Sequence, residues 1–452
     1  MANFAKPDVP RFAVEVYQNE FLPEGGQDVN AIVTVTATGG GTLGGLPAHD
    51  GAAGAASAVA LMVDCSGSMD HPSSKMRHAR DATRTAVAAL RDGTRFAVIA
   101  GTHVAREVYP GGGRLATADD RTREEAREAV LRLRAGGGTA IGSWLRLAEQ
   151  LLTSEPAGVR HGILLTDGRN EHETPEELRA ALDLCAGRFT CDARGVGTDW
   201  EVKEVTGIAT SLLGSADIVA DPAGLARDFR TMMESAMGKE VADVALRLWT
   251  PQGAEVTFVK QVAPSVSDLT GRRSAAGPRS GDYPTGSWGD ESRDYHVCVR
   301  VPAADVGREM LAARVSLVVP QPDGGATPVA QGLVRAVWTD DTAVSTSLNP
   351  QVAHYTGQAE LAQAIQDGLA ARKAGDVDGA TAKLGRAVQL AGASGHADTA
   401  KLLAKVVDVI DEANGTVRLK ARVEDADEMT LDTRSTKTAR LHQRPPAPRS
   451  GT

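Results

Sequence analysis

Short apolar runs alternate with helical patterns through the middle of the chain. Runs at 58–63, 94–100 and 162–165 have the length and composition of buried strands, and amphipathic stretches such as 141–152 lie between them. Such alternation is typical of a mainly parallel sheet that is covered by helices on both faces. The pattern therefore predicts an α/β fold, a doubly wound mainly parallel sheet, over residues 56–239.

A different pattern, in which apolar and polar positions alternate one by one, flanks this segment on both sides. It covers 11–17 and 30–37 before the α/β segment and five further runs after residue 241. Two strands alone are marginal in water, so the early pair needs the later strands as partners. We therefore expect one β-sandwich into which the α/β segment is inserted, with the Gly- and Ser-rich stretch 271–294 as a surface loop.

The rest of the chain predicts two smaller regions. Leu and Ala recur at spacings of three and four through 358–412, which indicates a small C-terminal helical domain. The tail after Gly415 has few apolar residues and several prolines, and is expected to be largely disordered. The predicted boundaries are 1–55 for the first sandwich strands and a linker, 56–239 for the α/β domain, 240–345 for the rest of the sandwich, 350–414 for the helical domain and 415–452 for the tail.

Oxygen-bearing side chains gather where predicted strands and turns end. Asp64, Ser66 and Ser68 occupy alternate positions directly after the first buried run, Thr139 lies in a glycine-rich turn, and Asp167 follows another buried run. The carboxyl ends of parallel strands meet at one edge of a sheet, where α/β proteins bind ligands. Carboxylate and hydroxyl oxygens suit a hard divalent cation, which would remain an acceptor for one more carboxylate.

This three-part arrangement resembles the metal-ion-dependent adhesion site of von Willebrand factor A domains, of the bacterial multidomain type. Every position of that family's pattern is filled here. The resemblance implies a Rossmann-like α/β domain and a protein ligand that presents an Asp or Glu carboxylate. It also implies that Mg²⁺ or Mn²⁺ is surrounded, in part through water, by Asp64, Ser66, Ser68, Thr139 and Asp167.

Charge and hydropathy narrow the range of partners and compartments. The net charge of −9 gives no general attraction to nucleic acid. No run of about 18 apolar residues is present, so no membrane span is predicted. Residues 1–10 lack the apolar core of a secretory signal, and the cysteines show no metal-type spacing. We therefore expect a cytoplasmic protein with reduced thiols.

The residues favour a non-catalytic adaptor or scaffold that binds a partner's carboxylate through the metal. A metal-dependent hydrolase is an alternative, but it would need a positioned acid or base near the metal. The nearby candidates for that role are Asp70, His71, Glu171 and His172, for which solvated loop residues are the simpler interpretation. A partner subunit of a separate ATPase is a third alternative, because this chain has no phosphate-binding motif of the Walker type.

Hydroxyl side chains are dense in the tail, at Thr430, Thr433, Ser435, Thr436 and Thr438. An accessible segment of this kind suits a kinase, and each phosphate would add about −1.5 to −2 charges. A phosphorylated tail would then be a ligand for a phosphothreonine-binding protein. Two alternatives stay open: a tail that is only polar and solvated, and a short edge strand at 417–423.

Overall fold

The computed structural model describes residues 11–38, 57–154, 156, 158–320, 325–438 and 440. The linker predicted at 39–54 and the end of the predicted tail, at 441–452, lie outside the described residues. Within the ranges that are described, no helix is both long and apolar enough to cross a membrane.

The described residues form the following strands and helices. The strands are β1 Arg11–Gln18, β2 Phe21–Leu22, β3 Asp28–Thr38, β4 Ala58–Asp64, β5 Arg95–Gly101, β6 Ala105–Tyr109, β7 Ala116–Thr117, β8 Arg160–Thr166, β9 Thr190–Val196, β10 Ala216–Val219, β11 Val241–Trp249, β12 Glu255–Ala263, β13 Ser267–Asp268, β14 Ser274–Gly277, β15 Ser280–Trp288, β16 Glu291–Arg300, β17 Glu309–Pro320, β18 Ala326–Trp338, β19 Val407–Asp411 and β20 Thr416–Leu419. The helices are α1 Ser74–Ala88, α2 Asp120–Leu131, α3 Ile141–Thr153, α4 Pro175–Cys185, α5 Val202–Ser211, α6 Leu225–Met237, α7 Thr342–Ser345, α8 Pro350–Lys373, α9 Val377–Ala393, α10 Ala397–Val406 and α11 Asp425–Arg434.

A seven-stranded sheet occupies the middle of the chain. Its order is β10-β9-β8-β4-β5-β6, with β7 also paired to β5. The pairs from β10 to β5 are parallel, and only β6 and β7 run antiparallel to β5. One apolar cluster packs α1, α2 and α6 on one face, and a second packs α3, α4 and α5 on the other. The predicted α/β fold with a mainly parallel sheet is therefore confirmed.

Strands from before and after the α/β segment combine into two further sheets. One sheet has the order β1-β3-β16-β12-β13, and the other has the order β14-β15-β11-β17-β18-β2. A single apolar cluster contains buried residues of both sheets, among them Val33 from the first and Leu246 from the second. The chain thus leaves this pair of sheets for the α/β segment and later returns to it. The domain boundaries expected from the sequence stay a prediction.

The structure differs from the sequence expectation at 271–294, which is not a surface loop. Most of this stretch forms β14 and β15, and β15 pairs with β11. Tyr283 and Trp288 are fully buried, and the Arg293 guanidinium lies 4.3 Å from the centre of the Trp288 ring. Burial of two large aromatic side chains outweighs the low strand propensity of the Gly, Ser and Pro residues around them.

The tail also differs from the expectation of disorder over its described part. β20 pairs with β19 in a hairpin, and α11 follows it. Leu431 of α11 is fully buried in an apolar cluster with residues of α8, α9 and α10, and Arg434 forms an ion pair with Asp217 of the α/β domain. These contacts join segments that are distant in sequence, so the composition of the tail alone does not show them.

The tail hydroxyls consequently lie in a packed segment. Thr433 and Ser435 are buried, Thr430 Oγ1 donates to the Ala426 carbonyl at 2.5 Å, and Thr438 Oγ1 donates to the Val262 carbonyl at 2.6 Å. Thr436 is half-buried. Phosphorylation of Thr430, Thr433, Thr436 and Thr438 stays a prediction, and a kinase would first have to detach this segment from the domains on which it packs.

Buried His296 of β16 leads to a prediction about pH. Its Nε2 lies 2.9 Å from Asn30 Oδ1, and burial together with the charge of Lys260 lowers the His296 pKa from 6.5 to about 4. The unfolded chain binds a proton here below pH 6.5, whereas the folded chain does so only near pH 4. Above pH 6.5 His296 is neutral in both states and does not lower the free energy of unfolding. Between pH 6.5 and pH 4 it lowers the free energy of unfolding by about 3 kcal/mol.

Urea unfolding at pH 7 and pH 4 checks this prediction. A His296→Gln variant keeps a hydrogen-bond donor but cannot titrate, so it should lose about 3 kcal/mol less than the natural protein between the two pH values. The matched control is His71→Gln, because His71 is exposed. Equal losses in the His296→Gln variant and the natural protein would contradict the prediction.

Candidate functional site

Asp64 stands at the centre of the candidate site. It is the last residue of β4, the strand between β5 and β8, and it is fully buried. The Ser66 backbone N–H donates to Asp64 Oδ1 at 2.8 Å, and the Thr166 hydroxyl donates to Oδ2 at 2.6 Å. Burial raises the pKa of Asp64 to about 6 in spite of these hydrogen bonds. The carboxyl group is thus firmly oriented, and its negative charge lacks full compensation.

Three hydroxyl groups converge above Gly168. Ser66 Oγ lies 2.9 Å from Ser68 Oγ, which donates to Asp167 Oδ1 at 2.7 Å. A Cβ atom at Gly168 would lie 3.1 Å from Ser68 Oγ, 3.3 Å from Thr139 Oγ1 and 3.7 Å from Ser66 Oγ. The glycine therefore leaves open a small space into which hydroxyl oxygens from two separate loops point.

Backbone hydrogen bonds between two loops position Thr139. The Gly136 N–H donates to the Cys65 carbonyl at 2.8 Å, and the Gly67 N–H donates to the Gly137 carbonyl at 2.9 Å. Gly137 has a φ of +85°, a left-handed conformation that favours glycine. The glycine-rich turn is thereby joined to the loop after β4. The structure brings together all five predicted residues: Asp64, Ser66, Ser68, Thr139 and Asp167.

Lys75 belongs to this site, although the sequence did not indicate it. Its Nζ lies 2.8 Å from Asp167 Oδ2 and 2.8 Å from Asp199 Oδ2, and the residue is only 5% exposed. Burial alone would lower the pKa of Lys75, but the two carboxylates outweigh it and raise the pKa, so the ammonium stays charged. Lys75 lies in the first turn of α1, and the sequence pattern does not show that its side chain turns inward.

The four residues considered as a catalytic acid or base lie in two groups, one in the cavity wall and one outside it. His172 Nδ1 accepts a hydrogen bond from the Thr139 backbone N–H at 3.2 Å, and the backbone N–H of His172 donates to the Thr139 carbonyl at 2.9 Å. His172 therefore holds the Thr139 loop in place, and Glu171 lies beside it in the cavity wall. Asp70 ends the short helical turn Gly67–Asp70, His71 follows it, and both are exposed.

An open cavity of about 490 Å³ lies over the hydroxyl groups. Its wall includes Ser66, Ser68 and Thr139, together with the exposed Arg169. It also includes Asp425, which comes from the first turn of α11. The sequence pattern predicts a disordered tail at Asp425, and it does not show that the packing of α11 brings this carboxylate to the site.

Comparison with known proteins places the chain in a family. A model of the von Willebrand factor type A domain matches residues 57–218, and a model of the von Willebrand factor type A C-terminal domain matches 389–435. The solved structure of a von Willebrand factor type A protein from Catenulispora acidiphila is 51% identical, with a TM-score of 0.90 over 98% of this chain and 99% of that one. The chain belongs to the von Willebrand factor type A family.

A more distant structure shares the fold of this von Willebrand factor type A protein. The ArnB paralog VWA2 from Sulfolobus acidocaldarius is 14% identical, with a TM-score of 0.58 over 95% of this chain and 98% of that one. No curated protein matches the chain. Domains of the family commonly mediate metal-dependent protein interactions, often with a divalent metal at the adhesion site.

Proposed function

We propose that this protein is a non-catalytic interaction module, an adaptor or scaffold, that binds an acidic side chain of a partner protein through Mg²⁺ or Mn²⁺. The observation that carries the proposal is the convergence of three hydroxyl groups and Asp167 Oδ1 above Gly168. These oxygens come from three separate loops, and the space in front of them opens into a cavity.

The donor set fits a hard divalent cation. Asp64, Ser66, Ser68, Thr139 and Asp167 would hold the metal and offer it two carboxylates and three hydroxyls, which are the oxygen ligands that Mg²⁺ and Mn²⁺ prefer. A bound cation would attract a carboxylate from a partner. Gly168 keeps the space clear, and Thr166 fixes the orientation of Asp64.

Lys75 adjusts the charge of this donor set. Its ammonium group contacts Asp167 Oδ2, while Asp167 Oδ1 accepts from Ser68 on the hydroxyl side. Lys75 therefore orients the Asp167 carboxylate and reduces the negative charge that the site presents. A donor set with reduced negative charge leaves a divalent cation more attractive to a carboxylate from outside.

Calorimetry with Mn²⁺ tests the metal site. The natural protein should bind one ion, and a double variant with Asp64→Ala and Asp167→Ala should bind none at this site. Asp70→Ala is the matched control, because Asp70 is an exposed carboxylate on the adjoining turn and is not in the cavity wall. Equal binding by the natural protein and the double variant would remove the metal site from the proposal.

Affinity capture of partners tests the interaction itself. A partner of the proposed kind is retained by the natural protein in Mg²⁺, and is lost both in a chelating buffer and with the single variant Asp64→Ala. The Asp70→Ala control should retain it. A partner that binds equally well in the chelating buffer does not use the metal, and such a result would contradict the proposed mode of binding.

A further inference from the structure

The helix α11 contributes a carboxylate to the cavity of the candidate metal site. Asp425 is the first residue of α11 and is exposed, and it shares the cavity wall with Ser66, Ser68 and Thr139. An acidic side chain is the chemical group that the proposed site would bind. The chain therefore carries a ligand of the right kind beside its own binding site.

The acidic side chains of α11 differ in their surroundings. Asp427 Oδ1 lies 2.6 Å from Lys405 Nζ, and Glu428 Oε2 lies 3.3 Å from Arg372 Nε, so both carboxylates are paired with other helices. Asp425 forms no ion pair within the part of the chain that the structure describes. Asp427 and Glu428 thus hold the helix in place, and Asp425, at its first position, lines the cavity.

The far end of α11 is attached to the α/β domain. Arg434 Nε lies 2.9 Å from Asp217 Oδ1, Lys437 pairs with the other oxygen of Asp217, and Met429 packs against the apolar cluster of the α/β domain. The five residues before the helix, 420–424, have no regular structure. The helix is therefore anchored next to the site at its C-terminal end, and its first turn follows an irregular segment.

We propose that Asp425 is an internal ligand of the metal site, which occupies the place of a partner's carboxylate until a partner displaces it. This inference rests on the proposed function and names the group that competes at the same site. A tethered carboxylate has a high effective concentration, in the millimolar range for short tethers. A partner's carboxylate must therefore bind tightly enough to displace Asp425 from the metal. Helix α11 then sets the threshold for partner binding.

A simpler role for Asp425 is stabilisation of the positive end of the helix dipole. Glu424 precedes Asp425, is also exposed and lies outside the cavity wall, so Glu424→Gln is a matched control for the loss of one negative charge at this helix end. If the dipole is the whole explanation, Asp425→Asn and Glu424→Gln should behave alike in every measurement.

Mn²⁺ calorimetry on the full chain separates the two roles. Asp425→Asn should weaken Mn²⁺ binding on the order of tenfold, because one carboxylate is lost from the set of ligands. Glu424→Gln should leave the affinity unchanged. In a chelating buffer both variants should have the same unfolding midpoint, which shows that the difference in metal affinity does not arise from a damaged fold.

Water-proton relaxation by bound Mn²⁺ gives a second readout. Loss of the internal carboxylate should admit water to the ion, so the relaxation enhancement per bound Mn²⁺ should rise in Asp425→Asn and not in Glu424→Gln. A synthetic peptide of residues 421–434 is the probe for a carboxylate supplied from outside. The peptide should reduce the enhancement of Asp425→Asn at a lower concentration than it reduces that of the natural protein. A control peptide in which every Asp and Glu is replaced by Asn and Gln should have no effect.

The outcomes distinguish this inference from the proposed function. If the natural protein binds Mn²⁺ through Asp64 and Asp167 but Asp425→Asn matches Glu424→Gln in affinity and relaxation, the internal ligand is wrong and the metal site stands. If the natural protein does not bind Mn²⁺, the proposed function itself is wrong, and the inference about Asp425 is overturned with it.

Discussion

Lys75→Met is expected to lower the free energy of unfolding by about 3–5 kcal/mol in a chelating buffer. Lys75 is 5% exposed and Asp167 is fully buried, and Nζ and Oδ2 are 2.8 Å apart. Methionine replaces most of the volume of the lysine stem but not its charge. The variant therefore leaves the Asp167 carboxylate buried beside Asp64 without its counter-charge.

Mg²⁺ should restore a large part of the stability that Lys75→Met loses. A divalent cation at the site would supply positive charge next to Asp167, and ligand binding to the folded state alone raises stability. The unfolding midpoint of the variant should therefore rise more with Mg²⁺ than that of the natural protein. This difference links the buried ion pair to the proposed metal site.

Urea unfolding in chelator and in Mg²⁺ measures both effects. Asp199→Asn is the control, because the Asp199 side chain is 64% exposed and its pair with Lys75 should contribute less than about 1 kcal/mol. If Lys75→Met is destabilised but Mg²⁺ stabilises it no more than it stabilises the natural protein, the cation does not bind next to Asp167. A variant with unchanged stability in chelator would show that the ion pair contributes nothing.

The position of the site could be predicted because it follows from the order of elements along the chain. Asp64 ends β4 and Asp167 follows the neighbouring parallel strand β8, and parallel strands end at the same edge of the sheet. The alternation of Ser66 and Ser68 with other residues is a local feature that the sequence shows directly. Metal binding by these residues stays a prediction, whereas their proximity is an observation.

The contacts that surround the site could not be predicted, because they depend on packing between distant segments. Lys75 lies in the first turn of the amphipathic helix α1, where the pattern fits an exposed lysine as well as a buried one. Asp425 lies in a weakly apolar segment whose order depends on contacts with the α/β domain and with helices α8, α9 and α10. The stretch 280–288 is rich in small residues, and its pairing with β11 on one side and β14 on the other makes it a strand.

Trp144→Ala is expected to destabilise the protein by about 3–5 kcal/mol and also to weaken Mn²⁺ binding. Trp144 lies in the first turn of α3 and is fully buried. Its ring packs directly on Gly101 at the end of β5, where any larger residue would overlap it, and its Nε1 donates to the Thr102 carbonyl at 2.7 Å. The Ala140 N–H donates to the same carbonyl at 3.1 Å.

These contacts tie the Thr139 turn to the end of β5. Without the indole ring, the start of α3 loses its packing on Gly101, and Thr139, two residues before the helix, loses a fixed position. Trp144→Phe is the matched variant, because it keeps an aromatic ring and loses the Nε1 hydrogen bond. It should lose less stability than Trp144→Ala and bind Mn²⁺ more tightly than that variant.

Urea unfolding and Mn²⁺ calorimetry, performed on both variants, decide whether the core and the site are coupled in this way. If they are coupled, stability and Mn²⁺ affinity should both be highest in the natural protein, intermediate in Trp144→Phe and lowest in Trp144→Ala. If Trp144→Ala is destabilised as expected but binds Mn²⁺ as tightly as the natural protein, Thr139 does not depend on α3 for its position. In that case the hydrogen bonds of the Gly136 and Gly67 N–H groups between the two loops are sufficient to hold the hydroxyl in place.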